Sequence, residues 1–582
     1  MNANKKSIER LHQFLISTLR KPSKGQVAFW LVLSLIFAAI YAGEGLQKAF
    51  ASAYVVQDDA RQYVFWMQRF IDPDLLPNDL IADYYKSVTP LGYAWLYHLI
   101  ASVGITPLLL SKLLPMVLGI ITTVYAFGVS MQILPLPITG FLSTLLLNQS
   151  LLLKDDLVSA TPRSFLYTLF TAFLYYLLQR SWLPCLVSIA LQGLFYPLVT
   201  LVSLCLLFIR LWKWENGLLR LSKDREYYIF CMIAFGVAFL SVLPSALLSA
   251  KYGPTIAGSL ARTLPEFLPG GRSKFFHNNP FLFWINGKDS SLIPWLKVQA
   301  ILVGFSLPFL MRYPARFPLI KEFKNKANIL LQIVLASLVM FLASHALLFK
   351  LYCPSRYTEH TLRIVLAIAG GLAFTLMLDA VLRSVGKIQS NKSFWKLALT
   401  GAIAIALLIY PHLLKEFPRT AYKIGIGPAI YEFFQSQPKD ILIASLEGEA
   451  NLIPTFSKRS ILVGSEYALP YHTKYYDQIR QRAIDLINAQ YSPNSAQIKS
   501  FIQKYDIDFW LISHSAFKPE YISKNRWIMQ YQPEANNAIN SIKQGKVPAL
   551  SKIMPKCTVL DTQGLTILPA KCIIQFDSEP VN

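Results

Sequence analysis

The run Val27-Ala28-Phe29-Trp30-Leu31-Val32-Leu33-Ser34-Leu35-Ile36-Phe37-Ala38-Ala39-Ile40-Tyr41-Ala42, followed by Val55-Val56-Gln57-Asp58-Asp59-Ala60-Arg61-Gln62-Tyr63, decides how the rest of the chain is read. The first stretch is apolar and near the roughly 17 to 25 residues that a helix needs to cross a bilayer. Lys5, Lys6, Arg10, Arg20, Lys21 and Lys24 precede it. That leader is long for a signal peptide and no Ala-x-Ala site follows, so the run reads as a retained signal anchor with residues 1–26 in the cytoplasm. The second stretch then sets two adjacent carboxylates just beyond the far end of the anchor.

The whole composition agrees. Of 582 residues 54% are hydrophobic and only 15% charged, against roughly 25% charged in soluble domains. This excludes a soluble or disordered chain, and 6 Cys are too few for a disulfide-stapled one. The formal charge of +23 raises the question of nucleic acid. The Lys and Arg fall instead in short loops at 210–226, 312–326 and 383–396, as the positive-inside rule predicts, so no nucleic-acid partner is expected.

The fold class expected is a polytopic α-helical membrane protein with about eleven spans: 27–43, 107–130, 135–152, 164–180, 183–196, 197–212, 227–249, 292–310, 328–349, 362–383 and 397–413. The stretch 91–104 is short and carries Tyr93, Trp95, Tyr97 and His98, so it reads as an interfacial helix. The stretch 183–212 is too long for one span and breaks at Tyr196-Pro197. Counting 91–104 as a span and 183–212 as one gives the same total but moves loop 153–163 to the cytoplasm. The transmembrane region is thus 27–413, with an outer loop at 44–106. Beyond 414 the patterns turn to short strands (441–445, 460–463, 509–512) and helices (473–490, 494–504), an extracytoplasmic α/β domain over 414–582. Cys557 and Cys572 flank a hairpin pattern with Gln563-Gly564 at its turn, a spacing compatible with a disulfide in an oxidising compartment. Cys185, Cys205 and Cys231 lie in spans as packing residues.

Asp58 and Asp59 are the first candidates for chemistry. Adjacent carboxylates repel and are kept by a cation, a basic partner or a proton-transfer task; alternatively one of them caps the next helix. A second pair, Asp155-Asp156, stands in Leu153-Lys154-Asp155-Asp156-Leu157-Val158-Ser159-Ala160-Thr161-Pro162-Arg163. If both pairs face one side, the two loops can hold a metal or an acceptor hydroxyl. Outer-side Arg runs against the usual bias, so Arg272, Arg356 and Arg363 need partners: headgroups, Glu266 and Glu359, or a lipid-linked phosphate, which Arg grips bidentately. His360 is a candidate proton relay.

A basic N-terminus with one span, a long first outer loop with an early acidic pair, interfacial helices before the second span and a soluble outer domain together resemble the GT-C superfamily of integral-membrane glycosyltransferases. That class includes protein mannosyltransferases and lipid A aminoarabinose transferase. The segments Asp58-Asp59-Ala60-Arg61-Gln62, Ala160-Thr161-Pro162-Arg163, Pro354-Ser355-Arg356-Tyr357 and Tyr467-Ala468-Leu469-Pro470-Tyr471-His472 also resemble bacterial, especially cyanobacterial, membrane proteins. The resemblance implies an inner-membrane enzyme of the cell envelope. It would transfer a sugar, with inversion, from a polyprenyl-phosphate donor to a glycan, lipid or protein acceptor on the periplasmic side. It implies Asp58 or Asp59 as general base and Asp155 or Asp156 as the second acidic site. Lys86, Arg163, Arg272, Arg356 and His360 become substrate-side candidates, and Asp58, Asp59 and Asp156 the ligands if a divalent cation, Mg or Mn, is used. Two other readings remain open at this point. A transporter or flippase would need intramembrane charges, of which Lys112, His345 and Asp379 are few. A non-catalytic assembly protein would use the α/β domain for binding.

Overall fold

Ser23 sets the start of the first long helix: its hydroxyl accepts from the Gln26 amide while the Gln26 side chain accepts from the Ser23 amide. In the resulting helix, Lys24–Ala49, the buried residues are Trp30, Ser34, Ala38, Tyr41, Gly45 and Ala49, spaced three or four apart along one stripe. Phe29, Val32, Ile36 and Ile40 point outward and are exposed. An apolar helix with a single protein-facing stripe is suited to lipid on its other faces. The computed structural model describes residues 10, 12–16, 22–215, 217–294, 299–387 and 391–576. Lys5, Lys6, Arg20 and Lys21 of the basic leader lie outside them.

Among the described residues six helices are long and apolar enough to cross a membrane: Lys24–Ala49, Pro107–Ile133, Arg225–Tyr252, Asn328–Ala346, Ser355–Val385 and Trp395–Leu413. The expected count of about eleven is not confirmed by length and composition alone. Pro137–Leu152 and Phe165–Gln179 have 16 and 15 residues, and at about 1.5 Å per residue they fall short of a roughly 30 Å hydrocarbon core. Trp182–Phe195 and Pro197–Arg210 are two short helices split at Tyr196, as the Tyr196-Pro197 break leads one to expect. The span expected at 292–310 is not a continuous helix. Residues 295–298 lie outside the described residues, and beyond them a 3-10 helix, Ala300–Ser306, runs into Leu307–Leu310. A Cβ at Gly304 would sit 2.5 Å from the Leu366 carbonyl, so this piece is held by close packing on helix Ser355–Lys387 rather than by its length. The stretch 91–104 forms a 12-residue helix, Leu91–Ser102, with Tyr93 and Tyr97 buried and Trp95 exposed.

Helices Pro197–Arg210 and Ser355–Lys387 both begin at a large cavity and end at basic loops. There Arg210 donates to Gln332 (3.2 Å) and His12 meets Asp379 (2.9 Å). At the cavity end the first loop forms a two-stranded antiparallel ladder, Val55–Gln57 with Tyr422–Ile424, in register Val56 to Lys423. The chain after the 3-10 turn Tyr410–Leu413 thus returns at once to the first loop, and the Arg419 amide also donates to the Leu152 carbonyl (2.7 Å).

Further on, five strands form one sheet in the order Ser460–Ile461, Leu442–Ala444, Phe509–Ser513, Leu565–Pro569, Leu560–Thr562. The first three are parallel and the last two antiparallel. Helices Thr473–Tyr491 and Ser495–Tyr505 lay Leu486, Ile487 and Ile498 against Trp510 and Ile512 in a hydrophobic cluster of their own. Gln563 and Gly564 both have positive φ (55° and 75°), the conformation that a two-residue hairpin needs. Cys557 and Cys572 are joined in a disulfide, with Cα atoms 5.7 Å apart.

Candidate functional site: an Asp59–Arg163 cavity

Gln57 closes the short strand and organises the turn into the next helix. Its side-chain oxygen accepts from the amides of Asp59 (2.8 Å) and Ala60 (3.0 Å), and its amide nitrogen donates to Asp155 Oδ2 (3.3 Å). The residue before helix Arg61–Met67 is Ala60, with no side-chain cap. Gln57 does the capping, so neither Asp58 nor Asp59 is spent on it.

The two carboxylates then part. Asp58 turns to Arg61, with Lys423 Nζ 3.7 Å away, and lies off the cavity lining. Asp59 bonds Arg163 and lines a cavity of about 570 Å³. Its side chain is 37% exposed, and that exposure is to the cavity. Burial raises the Asp59 pKa, but Arg163, Arg356 and Lys288 outweigh it, and the carboxylate is held below its ordinary value. Asp155 goes the other way: burial raises it more than Arg163 lowers it.

Arg163 also reaches the second acidic pair, with Nη2 3.8 Å from Asp155 and Nε 3.3 Å from Asp156. Asp156 is fully buried beside Lys154 (3.5 Å) and Arg363 (3.3 Å), while its Oδ2 accepts from the Tyr167 hydroxyl. Burial opposes its ionisation, yet Lys154 and Arg163 hold it well below the usual carboxylate value. Lys154 is pushed down to about 7 by burial, against the pull of Asp156. Loop 153–163 therefore lies against the loop that follows the first long helix, and the alternative topology that sends the two to opposite sides does not fit.

Of the basic candidates, Arg272 and Arg356 line the cavity. Arg272 is held by Glu466 (2.9 Å) and the Ser465 carbonyl (2.8 Å), and Arg356 by Asp289 (3.2 Å) and Glu359 (3.5 Å). Two sequence candidates lie elsewhere. Lys86 is exposed in the last turn of helix Leu80–Val88 and is not in the lining. His360 is buried behind the wall, its Nδ1 2.9 Å from the Tyr167 hydroxyl and 3.5 Å from Asp156. The lining adds Lys288, Asp289 and Glu466, which the sequence reading did not single out, and Tyr196, which it read only as a helix break. Glu466 links the parts: it accepts from Arg61 (2.7 Å), Gln62 and Arg272. It directly precedes the segment Tyr467 to His472, which was the available signal. Lys288 offered none beyond its acidic neighbour.

The donor set does not fit a divalent cation. Asp58 points to Arg61, while the Arg163 guanidinium stands among Asp59, Asp155 and Asp156. Among the described residues, no three His, Cys, Asp or Glu side chains are grouped to hold a metal.

No family model and no curated protein matches the sequence. Solved structures do. The archaeal oligosaccharyltransferase AglB from Archaeoglobus fulgidus, in complex with an inhibitory peptide and a dolichol-phosphate, superposes with a TM-score of 0.53 at 12% identity, covering 87% of this chain and 72% of that one. The same enzyme tethered to an acceptor peptide containing the NVT sequon gives a TM-score of 0.53 at 13% identity, with the same coverage. AglB is a GT-C glycosyltransferase, and at this identity the likeness is one of fold.

Proposed function

We propose that the chain, sharing the GT-C fold, is an integral-membrane glycosyltransferase that moves a sugar from a polyprenyl-phosphate donor to an acceptor hydroxyl, with inversion, on the outer face of the cytoplasmic membrane. The observation that carries this reading is the cavity in which Asp59 is open to solvent beside Lys288, Arg356, Arg272 and Lys274. The AglB complex with dolichol-phosphate supports a lipid-linked donor.

In the reaction the acceptor oxygen attacks the anomeric carbon from the side opposite the phosphate. The new C–O bond forms as the sugar–phosphate bond breaks, and the electron pair leaves on the polyprenyl phosphate. Asp59 takes the hydroxyl proton. Asp289 and Glu466 hold the Arg356 and Arg272 guanidinium groups in place, ready to meet charge developing on the phosphate without reorganisation. Asp59 is preferred to Asp58 because the Asp58 carboxylate is taken by Arg61. Asp155 and Asp156 act through Arg163. Lys86 and His360 have no direct contact with substrate in this scheme, and no step passes through a metal ion.

Asp59→Asn keeps shape and removes proton acceptance, so turnover should fall about 100-fold to 10,000-fold while donor binding survives. Asp58→Asn should cost far less. Both are measured by sugar transfer and polyprenyl-phosphate binding in detergent. Full activity in Asp59→Asn would end the proposal, and mass spectrometry of envelope lipids and polymers from a deletion strain would identify the product.

A further inference from the structure

Three carboxylates from two distant loops meet at a single side chain. Arg163 Nη2 is hydrogen-bonded to Asp59 Oδ2 and lies 3.8 Å from Asp155 Oδ2, while Nε lies 3.3 Å from Asp156 Oδ1. Carboxylates this close repel one another unless a positive charge stands among them. A divalent ion does this by drawing oxygens to about 2.0–2.6 Å in a shell around one point. A guanidinium does it from the edges of a plane, with nitrogens that serve different partners at once. The surroundings suit the second solution. Gln57 fixes Asp155 with a hydrogen bond, turning one of its lone pairs to an amide rather than to a shared centre. Lys154 and Arg363 already flank the far side of Asp156. Arg163 is 14% exposed and sits in the buried turn Pro162–Ser164 at the head of helix Phe165–Gln179, so its position is set by backbone rather than by a mobile loop.

We infer that Arg163 is the resident cation of this site, a positioning residue that fills the place a divalent ion would otherwise take among Asp59, Asp155 and Asp156. The wild-type protein then binds no divalent ion at these carboxylates, which are not grouped to hold one while the guanidinium stands among them, and removing it alone lets the three close on an ion. The inference rests on the proposed function only where it assigns Asp59 to the acceptor; the occupancy of the carboxylates stands apart from it.

The test is a Mn2+ titration of the detergent-solubilised full chain, with free Mn2+ read by electron paramagnetic resonance. Wild type should show no stoichiometric site. Arg163→Ala should bind one Mn2+ at least about 10-fold more tightly than wild type, in competition with Mg2+, and lose it when Asp59→Asn is added. Arg163→Lys, which keeps the charge, should behave as wild type, a contrast that a merely structural role would not produce. One Mn2+ bound by wild type and lost in Asp59→Asn would overturn the inference. So would a monodisperse Arg163→Ala protein that gains no site. Should Arg163→Ala fail to fold, the wild-type and Asp59→Asn titrations decide by themselves. No sugar transfer in any variant, with the Mn2+ pattern as expected, would count against the proposed function alone.

Discussion

Asp59 is pulled in two directions, and the balance can be read in a pH profile. Burial alone would raise its pKa; Arg163, with Arg356 and Lys288, brings it below the ordinary value near 3.9. If Asp59 accepts the acceptor proton it must be ionised, so the acid limb of kcat/KM should lie below that value. In Arg163→Gln the burial remains and the chief opposing charge is gone, so the limb should move to higher pH by about one unit or more. A slower enzyme with an unmoved limb would remove Asp59 from the role of base. Asp156 makes a different prediction, about stability. Its carboxylate is depressed in the folded protein, so its contribution is complete above the unfolded value near 3.9 and fades as pH falls through the lower folded value. Near pH 7 it is fully present. Asp156→Asn leaves Lys154, Arg163 and Arg363 with one carboxylate fewer in a buried cluster, a loss of about 3–5 kcal/mol. Thermal unfolding in detergent at pH 7 measures it, and a change under about 1 kcal/mol would mean that Glu359, which also pairs with Lys154, carries the cluster instead.

Local elements show what the sequence could and could not tell. The Tyr196-Pro197 break was legible because proline fixes its own φ and lacks the amide that a continuing helix needs; Pro197 stands at the first position of the second helix. Beyond 440 the strands Leu442–Ala444, Ser460–Ile461 and Phe509–Ser513 and the helices Thr473–Tyr491 and Ser495–Tyr505 were legible from alternation and 3.6-residue periodicity, whereas later helices such as Glu534–Lys543 and Ala549–Cys557 were not expected. The segment 300–310 was not: apolar composition counts residues but says nothing about whether a glycine lets the chain lie against a neighbouring carbonyl. In the site, the two acidic pairs announced themselves as local charge anomalies. Gln57, Lys288 and Glu466 did not, since each acts across hundreds of residues or through a neutral amide. The hairpin Leu560 to Pro569 lies between two cysteines that the structure joins. Non-reducing peptide mass spectrometry should find Cys557 and Cys572 linked, and two free thiols in protein purified without reductant would contradict the pairing.

At the scale of the molecule, the cavity gathers the first loop, loop 153–163, the segment 272–289, the start of helix Ser355–Lys387 and the turn at Glu466 onto one end of the helical bundle. The basic loops collect at the other end, where helix Pro197–Arg210 gives way to a hairpin of the strands Trp212–Glu215 and Leu218–Leu221. Charge asymmetry of this kind orients a membrane protein with its basic end in the cytoplasm, and the proposed function expects the cavity and the sheet on the opposite side. That orientation can be read with single cysteines at exposed positions: Lys86 and Lys546 on the cavity side, Lys213 on the hairpin. Lys86 lies outside the cavity lining, so its replacement should leave the site intact. In intact cells a membrane-impermeant maleimide should label Lys86→Cys and Lys546→Cys above the background of the native cysteines, and should reach Lys213→Cys only after permeabilisation. The reverse pattern would turn the molecule over and expose Asp59 to the cytoplasm, where soluble sugar donors compete with lipid-linked ones. Labelling of Lys86→Cys and Lys213→Cys alike in intact cells would break the bundle's two-ended charge separation, and the argument for a lipid-phosphate donor would lose its topological support.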